Sequence, residues 1–391
     1  MTISVNNVRV YLLSEAFRSF YFTVPIYLAF LQERLSISQI SILVGWSFLV
    51  QLVMELPTGA LADLLGKRIT IILSYILDTI FFVGYSFITS FPMFLLIATI
   101  GGLAESLRSG ASEAMVYDSL KEDGKEHNFA KVGAKQGVLF QIGLIIATLL
   151  GGFIYEFNIH LPYILAGLAQ AASGLSTLFY REPKVDTVTF TVRNYLRQIK
   201  LGAKEAFKSR EHRLMSLYYI AVGAISWLVM TYYVDYLLID LGFDHNVRGI
   251  ISAGTRTLNI LIISKILVNE KILDRKRTLI FFPILLVLSL TPGLWLQGWW
   301  GVPFIAGAMM SSTARWILLG KYTNQVFDSK YRATAISTLS MAIGAIYVVF
   351  TLLSGPVMEN FGGSRTIFTL LGIISLLTIP PLAYKLIKID K

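Results

Sequence analysis

Apolar residues along this chain run in long, nearly unbroken blocks separated by short charged loops. The stretch SILVGWSFLVQLVMELPTGALADLLGKRIT, positions 41–70, shows the rule: an oily run, then Asp63, Gly66, Lys67 and Arg68, then the next oily run. An α-helix rising 1.5 Å per residue needs about 20 apolar residues to cross ~30 Å of hydrocarbon. Twelve blocks of that kind are predicted, near 9–33, 38–62, 68–89, 92–118, 129–156, 161–180, 213–240, 246–268, 278–297, 299–325, 331–357 and 363–386. Each is expected to be helical, because backbone facing lipid must satisfy its own hydrogen bonds and the alternation of a membrane barrel is absent.

The blocks fall into two sets of six. VYDSL at 116–120 and VFDSK at 326–330 lie 210 positions apart, and GKRIT at 66–70 and RKRTL at 275–279 lie 209 apart. A nearly constant offset points to an internal duplication. Between the sets, Arg181 to Arg213 is the longest polar stretch, and the expected organisation is a six-helix half at 1–180, a cytoplasmic linker at 181–212 and a second half at 213–391. Within the linker, Phe190, Leu196, Ile199, Ala203 and Phe207 recur at near-helical spacing among basic residues. Such a helix suits an anionic membrane surface; a plain tether between the halves is the other reading.

Composition agrees with a membrane setting. The chain is 55% hydrophobic and 15% charged, with a mean hydropathy of +0.64, whereas a soluble domain carries roughly 25% charged residues. Only Arg9 precedes the first long run, with no small-residue cleavage signal, so that run is expected to stay in the membrane. With the N-terminus inside, most Lys and Arg fall on the inner side and Arg34, Arg248 and Arg365 on the outer; both termini are expected in the cytoplasm of a multi-pass protein of the cell membrane. The net charge of +10 is therefore read as membrane topology, with no nucleic-acid partner. Without cysteine, and with His127, His160, His212 and His245 scattered, no metal site or cofactor is expected. No Ser-His-Asp grouping or phosphate-binding glycine loop is found, so an enzyme is not expected.

Gly59, Asp63, Gly66, Lys67 and Arg68 resemble the signature loop between helices 2 and 3 of the major facilitator superfamily, with Leu64 where that family carries a basic residue. The resemblance implies twelve transmembrane helices in two pseudo-symmetric halves around a central cavity, a small-molecule substrate and a monomer. It also implies a conformational latch, in which Asp63 meets the start of helix 11, where Ser329 is a candidate cap and Arg332 a cationic partner. A second family signature, on helix 5 of proton-linked exporters, is half present as Gly143, Gly151 and Gly152, with Ala147-Thr148 replacing its Gly-Pro. Packing of small residues explains it equally well.

Charges inside the spans are costly and call for pairing or function. Glu15 with Arg18, and Glu105 with Arg108, are spaced i, i+3 on one helix face. Glu55, Asp78, Arg256 and Arg315 have no such partner in their own span. The resemblance places helices 1, 4, 7 and 10 at the cavity; Glu105 then maps at the 210 offset onto Arg315. Proton-coupling candidates are Glu105, with Glu55, Glu15 and Asp78 behind it. Substrate-cavity candidates are Arg18, Arg108, Arg256, Arg315, Phe17, Tyr21 and Trp227; Trp299, Trp300 and Tyr236 read as interfacial aromatics. The expected function is proton-coupled efflux of an amphipathic organic molecule by alternating access, the alternative being proton-coupled uptake of an organic anion or other nutrient.

Overall fold

The computed structural model describes residues 2–184, 192–266, 275–328 and 331–389, and among these the regular structure is helical. The predicted spans appear as α1 (Ile3–Arg18) with α2 (Tyr27–Gln32), α3 (Ile37–Leu65), α4 (Lys67–Phe87), α5 (Phe91–Glu122), α6 (Phe129–Phe157) and α7 (Leu161–Thr177). After a linker helix, α8 (Val192–Ala206), come α9 (Arg210–Leu228), α10 (Val234–Asp240), α11 (His245–Ile266), α12 (Arg275–Leu290), α13 (Gly301–Val326), α14 (Arg332–Asn360) and α15 (Gly363–Ile389). Seven of the described helical stretches are long and apolar enough to cross a membrane.

The chain divides into two compact units. Unit 1 holds Met1–Leu35, Trp46–Val192 and His245–Ile250; unit 2 holds Ser36–Gly45, Arg193–Asp244 and Ile251–Lys391. In unit 1, α4 packs along α5 and α7, and α1 packs on α5, α6 and α7; in unit 2, α9 packs on α13, α14 and α15. Tyr75, Met115 and Val116 form part of a buried cluster in unit 1 with Ile71, Leu120 and Tyr180.

The first predicted span is not one helix. Regular structure stops at Arg18 and resumes at Tyr27, and Pro25, which has no N–H to donate, lies in the gap. Short-range bonds serve the backbone there, Tyr21 N–H to Ser19 O at 2.8 Å and Tyr27 N–H to Thr23 O at 2.8 Å. Helix α6 makes room for this gap: a Cβ at Gly143 would overlap the Ser19 hydroxyl, and one at Gly151 the Phe22 carbonyl. The half-matched glycine signature thus has a packing role in unit 1, and Gly152 similarly faces the His245 carbonyl.

The seventh span is interrupted too, by a π-helical turn at Val229–Tyr233 between α9 and α10. Thr231 Oγ1 donates to the Trp227 carbonyl at 2.7 Å, a side-chain bond that competes with the helical ladder. At the 210 offset, Ser19 maps onto Val229, so both interruptions begin at equivalent positions of the duplicated plan. Sequence periodicity missed them because the hydrophobic run continues through both.

The basic loop between α3 and α4 is built around Gly66, whose φ is +87°. The turn exposes the first N–H groups of α4, and Glu182 accepts from Lys67 N at 2.8 Å and Arg68 N at 2.9 Å. A carboxylate at the positive end of a helix is favourable, and it closes a contact between residues more than a hundred positions apart. A side chain at position 66 would be strained by the left-handed backbone and would crowd Glu182 at 3.2 Å. Gly66→Ala is expected to destabilise the protein by about 1–2 kcal/mol, read as a lower melting temperature in detergent; an unchanged melting temperature would contradict this role.

Candidate functional site

Three helices of unit 1, α1, α4 and α5, bring ionisable side chains together, and α6 adds an amide. On α1, Glu15 and Arg18 share a face, with Arg18 Nη2 2.8 Å from Glu15 Oε2 and Nε 3.1 Å from Oε1. Gln136 of α6 donates to Glu15 Oε2 at 2.8 Å. Arg18 also donates to the Tyr21 hydroxyl at 3.1 Å, and its guanidinium lies 4.7 Å from the centre of the Phe140 ring. Glu15 is thereby buried, at 3% exposure, yet fully engaged.

The second pair carries a third member. Arg108 of α5 donates through Nη2 to Glu105 one turn away, as the i, i+3 spacing predicts. Its Nε faces Asp78 of α4, 3.9 Å from Oδ2. Among the described residues this is the one ion pair made by Asp78, whose side chain is 10% exposed against 40% for Glu105. Arg108 is itself 4% exposed, so the carboxylates compete for a single buried guanidinium. Among the described ion pairs, Glu15 meets Arg18, and Asp78 and Glu105 meet Arg108. Three acids against two bases leave one carboxylate uncompensated in a low-dielectric setting, an arrangement that a single proton neutralises.

Unit 2 places its buried cations differently. Arg315 of α13 is 4% exposed, donates through Nη1 to the Gly223 carbonyl of α9, and lies 5.9 Å from the Tyr219 ring centre. Gly223 also lies close to Ile343 of α14, whose Cδ1 a Cβ would overlap, with Arg315 Nη1 at 3.3 Å. Arg256 of α11 is half-buried. Elsewhere in unit 2 Tyr232, Tyr233 and Tyr347 are buried, and the Trp227 ring centre lies 5.8 Å from that of Tyr347.

Several expected residues take other places. Glu55 is exposed, and no ion pair to it is present among the described residues. Tyr236 is no interfacial aromatic: it is 1% exposed and its hydroxyl accepts from Tyr232 at 3.4 Å, whereas Trp299 and Trp300 are largely exposed. Phe17 is partly exposed, at 36%. Of the latch residues, Lys67 pairs with Asp118 at 2.9 Å, Arg68 Nη2 donates to the Leu178 carbonyl at 2.7 Å, and Arg332 Nη2 to the Phe327 carbonyl at 3.3 Å. Gly59 lies in α3 two positions after Pro57. The Asp63 side chain and Ser329 lie outside the described residues.

Sequence reading missed Gln136 and Glu182, whose partners come from distant helices, and it left Asp78 alone. A signal existed for Asp78: an acid in mid-span must find a base, and Arg108 is the nearest in the next span.

The family profile described as the Major Facilitator Superfamily matches residues 11–319. The uncharacterized MFS-type transporter YxaM of Bacillus subtilis (strain 168) is 27% identical over 354 residues, covering 85% of this chain and 85% of that protein. Quinolone resistance protein NorA of Staphylococcus aureus (strain MRSA252) is 28% identical over 170 residues, covering 42% of this chain and 41% of NorA. Among solved structures, nucleoside transporter NupG superposes with a TM-score of 0.71 at 14% identity, and a mutant of it with 0.77 at 15%, each covering 100% of both chains. At that identity the likeness is one of fold.

Proposed function

The chain belongs to the major facilitator superfamily, and from that premise we propose that it expels an amphipathic small organic molecule in exchange for protons, by alternating access. The observation that carries the proton is the three-acid, two-base cluster of unit 1. Glu105, the most open of its carboxylates, takes the proton. Protonation removes the charge that holds Arg108 on its own helix, and the guanidinium turns to Asp78 of α4. The cluster passes from one excess negative charge to none, and the two positions of Arg108 give a two-state element for the cycle to bias.

Both termini lie in the cytoplasm in this reading, and Gly59, Asp63, Gly66, Lys67, Arg68 and Arg332 serve as its conformational latch residues. Efflux is favoured by the partial likeness to a quinolone resistance protein. The buried Tyr219 ring beside Arg315 suits an amphipathic substrate. Uptake of an organic anion is the second reading, favoured by the half-buried Arg256 and the buried Arg315.

Inside-out and right-side-out membrane vesicles, loaded with labelled candidate compounds under a pH gradient of either sign, separate these readings. Efflux predicts accumulation in inside-out vesicles with an acidic interior, abolished by a protonophore. Accumulation in right-side-out vesicles with an acidic exterior would establish uptake instead, and transport indifferent to the gradient would remove the proton.

A further inference from the structure

We propose that the outer face of α8 binds the anionic phospholipid headgroups of the cytoplasmic leaflet. This rests on the orientation in which the linker is cytoplasmic. Helix α8 is tied to unit 2 along one side. Gly202 lies against Thr334 and Thr338 of α14, so closely that a Cβ would overlap both. Ser216 of α9 donates to the Ala206 carbonyl at 2.7 Å. Glu205, buried at 5% exposure, accepts from the Asp328 backbone N–H at 3.0 Å and faces His212 at 3.4 Å. Lys208 closes the end with a 2.6 Å ion pair to Asp328.

The opposite side is exposed and basic. At 3.6 residues per turn, Arg193, Arg197, Lys200 and Lys204 fall within an arc of about 60° whose centre is roughly opposite Gly202, and all four are exposed. Leu196 and Phe207 border the arc and are 56% and 42% exposed. After three connecting residues, Arg210 begins α9, the start of the apolar helical stretch Arg210–Asp240 that is long enough to cross the membrane. The short connection and the Ser216 tie hold the basic arc at the depth where a span meets the headgroups. Four cations flanked by two apolar side chains match an anionic lipid surface in both charge and polarity. A bare tether needs neither the glycine-mediated seat on α14 nor cations gathered on the side away from it.

The chain has no cysteine, so Leu196→Cys offers a single site for a nitrobenzoxadiazole fluorophore. In proteoliposomes of phosphatidylcholine with rising phosphatidylglycerol, its emission is expected to strengthen and shift to the blue, and added salt to reverse this. K200Q/K204Q in that background should weaken the response roughly tenfold, and adding R193Q/R197Q should remove it. Circular dichroism and melting temperature confirm that these surface variants fold. An unchanged response in the fourfold variant, or displacement of the probe by inorganic phosphate or ATP in solution, would overturn the lipid site. Dithionite bleaching tests the orientation separately. A cytoplasmic label bleaches quickly in inside-out vesicles; fast bleaching only in right-side-out vesicles would refute the orientation and leave the lipid titration to decide the binding surface.

Discussion

Glu105→Gln is expected to abolish accumulation driven by a pH gradient while substrate exchange continues. In the wild-type protein Glu105 and Asp78 both face Arg108, and Glu15 is committed to Arg18 and Gln136. Glutamine resembles protonated glutamate in shape and charge, so the variant holds two carboxylates against two guanidinium groups and stays in the neutral arrangement. Arg108 then has one acidic partner, Asp78, and no proton left to exchange. Binding and exchange need the two faces of the cycle but no net proton movement, so counterflow of labelled substrate should survive. The measurement is uptake into proteoliposomes under an imposed gradient, beside counterflow in the same preparation. Glu55→Gln is expected to slow accumulation without abolishing it, since Glu55 is exposed and outside the cluster. Wild-type accumulation by Glu105→Gln would remove Glu105 from the coupling site. Loss of counterflow together with accumulation would make it a binding or folding residue.

Gly151→Leu should prevent normal assembly of unit 1. The site is closed by the Phe22 backbone carbonyl, with the Pro25 ring beside it, where a side chain would start. Backbone cannot change rotamer to relieve the overlap, so either α6 withdraws or the gap between α1 and α2 deforms. Overpacking of this kind costs about 3 kcal/mol, and thermal unfolding in detergent should show it as a large fall in melting temperature and yield. Gly133→Ala and Gly137→Ala on the same helix are the controls, because nothing lies within 4 Å of a Cβ at either position. Both are expected to melt at or slightly above the wild-type temperature, alanine being the better helix former by up to ~1 kcal/mol. Equal behaviour of all three variants would show that the seat on the interrupted span carries no stability.

Local sequence determined the parts of this protein whose physics is local. Whether a stretch crosses the membrane depends on its own length and hydropathy, so the helices of both sets were legible, as were the basic loops between them. The i, i+3 pairs Glu15–Arg18 and Glu105–Arg108 were legible for the same reason, since one helix turn brings both groups to one face. The tertiary structure decided everything that depends on which helix lies beside which. Asp78 finds Arg108 from another helix, Gln136 reaches Glu15 across 121 positions, and Glu182 ends the search of the α4 N-terminus for an acceptor. The gap at residues 19–26 was hidden as well, because hydropathy reads side chains, while the gap exists through a backbone lacking the Pro25 N–H and a neighbouring helix lacking side chains at Gly143 and Gly151. Tyr236 was misplaced for a related reason: an aromatic near a span end has one composition but two possible faces, and only packing chooses between them.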